Sequence, residues 1–136
     1  MVFKAIITVL CGVGLYASVF MLIKTRRAQR GELAEPSVVQ SPRARLYGGL
    51  PNALLGALYY PALAVTLWFA PLPEAAGIAV LAAVALAGAT SAVLAWSLLF
   101  VTRRACPYCW TAHLVNWSLA LLCLDLLRAN VLFSTG

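Results

Sequence analysis

The sequence predicts an all-α membrane protein, a bundle of four transmembrane helices, on three observations. Of its 136 residues 63% are hydrophobic and only 10% charged, more apolar surface than a soluble domain of this length hides. The apolar residues gather into four runs, about 3–23, 47–70, 75–101 and 106–133, each near the roughly 20 residues that cross a bilayer core. The charges sit in the connectors and at the run ends. One domain, 1–136, is expected at this length. The net charge of +6 does not point to nucleic acid, because the basic residues cluster between apolar runs, where lipid headgroups or a protein partner meet them.

The first run, Phe3 to Ile23, has Lys4 near its start and Lys24, Arg26 and Arg27 after it. It is too long for a cleaved signal peptide and no small-residue cleavage site follows, so a retained helix is expected. Cys11 within it reads as core filler. Residues 24–45 form one basic polar loop, in which Arg26 to Glu35 has the makings of a surface turn or two. Pro36 and Pro42 stop anything longer. Pro51 suits the first turn of the second helix, and puts Asn52 at the membrane surface as a cap, a backbone-satisfying group or an intramembrane polar site. Pro61 is expected to kink this helix.

Pro71 and Pro73 turn the chain into the third run. Its many small residues, among them Gly88 and Ala92 four apart, predict close helix approach and a central place in the bundle. Ser91 and Trp96 read as packing elements. Arg103 and Arg104 connect to the fourth run, where Asp125 and Arg128 are placed to pair with each other or with headgroups. Four spans put both termini on one side, and the basic loop, Asn52, Cys106 and Cys109 on the other.

Cys106 and Cys109 carry the chemistry. Cysteines three apart at a helix start can close a disulfide, and the helix N-terminus with Arg103 and Arg104 favours the thiolate that exchange requires. Cys106, Cys109, His113, Asn116 and Ala120 fall along one helix stripe, with His113 about 6 Å below Cys109 at ~1.5 Å per residue. A dithiol at the mouth, with imidazole and amide below, suits a flat amphipathic ligand. Covalent haem attachment is disfavoured because Trp110, not histidine, follows Cys109. A structural zinc site lacks ligands, since Cys123 is about 21 Å further along the helix. A CxxC soft-metal relay needs only two thiolates and remains open beside a redox dithiol and an inert pair.

The order of these motifs is itself informative. The Gly49-Leu50-Pro51-Asn52-Ala53-Leu54-Leu55-Gly56 stretch opens the second span, and Ala87 to Trp96 (AGATSAVLAW) lies in the third. Cys106-Pro107-Tyr108-Cys109-Trp110-Thr111-Ala112-His113-Leu114-Val115-Asn116 opens the fourth. With the basic segment after the first span, they resemble the vitamin K epoxide reductase family over nearly the whole chain. The resemblance implies a four-helix bundle around a quinone of the ubiquinone or menaquinone class. Its activity would be that of a thiol:quinone oxidoreductase supporting disulfide formation, with a thioredoxin-like or other dithiol protein as partner. By motif position Cys109 resembles the cysteine beside the quinone, Cys106 the one that exchanges with an incoming thiol, and Asn52 and His113 the polar groups at the quinone carbonyls. Tyr108 and Trp110 flank the entrance or anchor the interface.

The family's usual cysteine pair in the first loop is missing, because residues 24 to 50 contain no cysteine. Three readings follow: a partner thiol attacks Cys106 directly, the second dithiol sits on another membrane subunit, or the chain is a non-catalytic subunit of a larger membrane complex. The resemblance implies the cytoplasmic membrane of a prokaryote with the CxxC outside. Charge argues the reverse: Lys24, Arg26, Arg27, Arg30, Arg43, Arg45, Arg103 and Arg104 share the CxxC side, against Lys4 and Arg128 on the other.

Overall fold

The computed structural model describes residues 1–34, 36–46 and 48–129. They form four helices and no sheet: α1 (Val2–Gln29), α2 (Asn52–Trp68), α3 (Glu74–Ser97) and α4 (Pro107–Arg128). Helices α1, α3 with the turn that follows it, and α4 are each long and apolar enough to cross a membrane. Large apolar side chains stand exposed on every helix, among them Val9, Leu58, Leu86 and Leu121. Bilayer hydrocarbon is the solvent that suits such a surface.

The helix ends differ from expectation for local reasons. α1 runs on through Lys24, Arg26 and Arg27 to Gln29, so the basic segment begins inside a helix, and cations in a last turn favour the carbonyl end of the dipole. The remaining connector is not a featureless loop. It makes two 3-10 turns, Val38–Gln40 and Pro42–Ala44, with Val39 buried. Glu35, the end of the proposed surface turn, lies outside the described residues. α2 starts only at Asn52, because Gly48 and Gly49 take left-handed φ of 60° and 77° and Pro51 is extended. Its 17 residues reach about 25 Å at ~1.5 Å each, short of the ~30 Å hydrocarbon core. Pro61 lies inside this unbroken helix. α3 ends in a π turn, Leu98–Thr102, closed by Arg103 in the left-handed region. The predicted end of the fourth span, residues 130–133, lies outside the described residues.

The packing order corrects one expectation. α1 packs on both α2 and α4, and α3 packs along α4, so the alanine-rich α3 is an outer helix. At Gly88 a Cβ would stand 3.9 Å from Ala120 Cβ, an ordinary van der Waals contact, so the packing of α3 on α4 does not require glycine there. Ala82, Ala83, Ala85, Ala89 and Ala92 are exposed. Small size allows approach but supplies little apolar area to hold a central position.

The half of the bundle nearer the termini is filled. Ile7 and Cys11 of α1, Tyr60, Leu63 and Leu67 of α2, Val80 and Val84 of α3, and Val115, Leu119, Cys123 and Leu126 of α4 form one buried cluster. Cys11 and Cys123 are free thiols within it. At that end Lys4 Nζ donates to Trp68 O at 2.8 Å, and Trp68 Nε1 to Thr8 Oγ1 at 3.0 Å. These bonds pin the start of α1 to the end of α2, with a tryptophan at the level expected of a membrane interface. Asp125 and Arg128 form an exposed pair at 3.9 Å, a contact of small energetic weight.

Candidate functional site

The other half of the bundle is hollow. A cavity of about 480 Å³ lies between α2 and α3, walled by α1 and α4. The connector covers its mouth with Val38, Val39, Ser41, Arg43 and Ala44. Met21 and Thr25 near the end of α1, Asn52 at the start of α2, Thr102 after α3 and Cys109 at the start of α4 all line it. The alternating helix directions predicted from the four runs therefore bring these residues to one end. The volume falls within the ~300–1,000 Å³ range of small-molecule sites.

Cys106 and Cys109 are joined in a disulfide with Cα atoms 5.2 Å apart. Pro107 opens α4, and Cys106 serves as its cap, its Sγ accepting from the Cys109 N–H at 3.2 Å. Proline costs nothing at this position because its missing donor has no helical partner there. The two sulfurs face different surroundings. Cys109 is on the cavity wall, whereas Cys106 is off it and buried, 7% exposed. Tyr108 between them stacks on Phe20 of α1, with ring centroids 3.9 Å apart, and so ties the motif to the neighbouring helix. Trp110 meets the His113 ring edge-on at 6.0 Å.

The expected stripe on α4 holds in part. Cys109, His113 and Asn116 line the cavity, Ala120 packs beyond it against Gly88, and Cys106 turns away. His113 is 5% exposed, and neither of its ring nitrogens has a hydrogen-bond partner among the described residues. Asn52 is in the wall, but its amide also works on the connector. Its Oδ1 accepts from Leu46 N at 3.1 Å and its Nδ2 donates to Arg43 O at 2.7 Å. Asn52 thus ties the connector over the cavity while its side chain stays on the cavity wall.

The structure joins polar groups that the sequence did not connect. Tyr60 OH donates to Asn116 Oδ1 at 2.9 Å, and Asn116 Nδ2 donates to Ser91 Oγ at 2.7 Å. This chain links α2, α4 and α3 across the cavity floor and gives Ser91 a polar task in place of plain packing. Buried side-chain polar atoms without a partner among the described residues belong to Ser41, Tyr59, Ser97 and His113. All four residues line this one cavity. Buried polar groups in folded proteins are normally satisfied, so such a cluster around a void calls for water or a ligand to supply the missing bonds. The signal in sequence was faint: Ser41 lies in a loop, and Tyr59 and Ser97 sit in apolar runs with no pattern to mark them.

Fold and site together define a helical membrane bundle with a CxxC disulfide beside a ligand-sized cavity. The model of the vitamin K epoxide reductase family matches residues 5–124. The chain belongs to that family, whose members are oxidoreductases. No curated protein matches it.

Proposed function

We propose that the protein is a membrane thiol:quinone oxidoreductase that passes electrons from a partner's dithiol through Cys106 and Cys109 to a quinone. The observation that carries this reading is the disulfide with one sulfur on the wall of a cavity whose buried His113 offers two unpartnered nitrogens. A neutral imidazole presents one donor and one acceptor, which suits a group that alternates between carbonyl and hydroxyl.

The partner's thiolate attacks Cys106 Sγ. A mixed disulfide forms and Cys109 leaves as the thiolate on the cavity wall. The partner's second thiol attacks its own sulfur in the mixed disulfide, closes its disulfide and releases Cys106. A quinone of the ubiquinone or menaquinone class, held in the cavity against His113, supplies the acceptor for two electrons and two protons as the Cys106–Cys109 bond re-forms. Asn52 holds the connector over the cavity, and Leu55, Leu94 and Leu98 give it an apolar lining. Because residues 24 to 50 contain no cysteine, the partner delivers its thiol to Cys106 directly.

The burial of Cys106 favours a second reading, a non-catalytic subunit that keeps the fold and a structural disulfide. Activity of the isolated chain decides between them. With a reduced dithiol protein as donor and a short-tailed quinone as acceptor, the wild type turns over. Cys106→Ala and Cys109→Ala each abolish quinone reduction, and Cys123→Ala retains it. Full activity in the Cys109→Ala protein refutes the redox assignment.

A further inference from the structure

Ser97 is the least expected of the unpartnered groups. Hydroxyls within a helix commonly donate to the carbonyl four residues back. Thr8, Thr25, Thr66 and Thr111 all do so here, onto Lys4, Met21, Ala62 and Pro107. Ser97 does not: its Oγ is buried without a partner, the residue is 1% exposed, and it lines the cavity. It is also the last residue of α3 before the π turn, a distortion that recurs at functional sites.

Its depth follows from the hydrogen bonds between α3 and α4. The helices run antiparallel and are in register where Asn116 meets Ser91, as Trp117 Nε1 donating to Gly88 O corroborates. Six residues on along α3 is Ser97, and six back along α4 is Trp110, next to Cys109. Ser97 therefore stands at the level of the disulfide. His113 lies about one turn deeper, ~6 Å below Cys109. Two of the four unpartnered residues, at two depths and on two walls of a mostly apolar cavity, match a flat ring with polar atoms on opposite edges.

We propose that Ser97 is a ligand-binding residue that donates its hydroxyl to the quinone carbonyl nearer Cys109, while His113 takes the farther one. This rests on the quinone reading above. It gives the carbonyl at the mouth a donor from α3, in addition to the Asn52 amide, which bonds Leu46 and Arg43 through its Oδ1 and one of its two Nδ2 hydrogens.

The test compares two probes of nearly one shape, menadione and 2-methylnaphthalene, which differ by the two carbonyls. Binding to the detergent-solubilised full chain is read from quenching of its tryptophan fluorescence. In the Ser97→Ala protein menadione binds about three- to tenfold more weakly, the effect of one lost hydrogen bond, and 2-methylnaphthalene binds as in the wild type. The thermal midpoint of the unliganded variant is unchanged or raised, because the hydroxyl it loses has no partner. Equal affinity of the variant and the wild type for menadione, or equal weakening for both probes, overturns the assignment of Ser97. A wild type that binds menadione no better than 2-methylnaphthalene overturns the quinone reading itself, and the Ser97 proposal with it.

Discussion

Substituting Gly14 by alanine tests the packing on which the cavity floor depends. Gly14 is buried on α1, and a Cβ built there would lie 2.5 Å from Tyr60 Cε1 and from Cζ. Real contacts do not approach so closely, so the ring must move or the helices must part. Overpacking of this kind costs about 1–3 kcal/mol. A displaced ring also loses the 2.9 Å bond to Asn116, about a further 1 kcal/mol. Alanine is the better helix former by ~1 kcal/mol, which offsets part of the loss. Gly12→Ala provides the control, since nothing lies within 4 Å of a Cβ there. Propensity cancels between the two variants, leaving Gly14→Ala about 2–4 kcal/mol less stable than Gly12→Ala. Reversible unfolding in mixed micelles, followed by tryptophan fluorescence, measures the difference. Adding Tyr60→Leu to Gly14→Ala should give less loss than the sum of the single variants, because the colliding ring is gone. If Gly14→Ala and Gly12→Ala fall within about 0.5 kcal/mol of each other, the account of α1 against α2 is wrong.

Further outcomes follow from the same contacts. Tyr60→Phe removes the donor to Asn116 Oδ1 and destabilises the bundle by about 1–2 kcal/mol in the same unfolding measurement. Asn52→Ala releases the cover: trypsin cuts after Arg43 or Arg45 about tenfold faster or more, while global unfolding changes little. Cleavage at the wild-type rate would show that the Asn52 amide is not what holds the cover. An impermeant maleimide applied to intact cells labels Cys106 and Cys109 only after mild reduction if the disulfide faces outside, as the family resemblance implies. Labelling that appears only in opened membranes, on thiols already free, would side with the distribution of basic residues instead.

The fold class was legible in composition and in run length, because a helix in a membrane must bury its backbone bonds within itself and show apolar side chains to lipid. The motif order carried the family, and counting spans carried Asn52, Cys109 and His113 to one end of the bundle. Helix ends were less legible: the start of α2 depended on Gly48 and Gly49 taking left-handed conformations, and a run of apolar letters does not show that.

Which helix is outermost, and which polar side chains meet, was decided by tertiary structure alone. In a lipid-exposed helix nearly every position is apolar, so periodicity cannot mark the inward face, and the small residues of α3 read as central though most are exposed. The same uniformity hid Tyr59 and Ser97, whose importance lies in having no partner beside a cavity. Asn52 shows the division most plainly. Its position, polar at the membrane surface, was fixed by the order of residues, but its work as the latch of the cover required Arg43 and Leu46 to fold back over it. A hydrogen bond between segments is a property of their approach, and only the folded chain sets that.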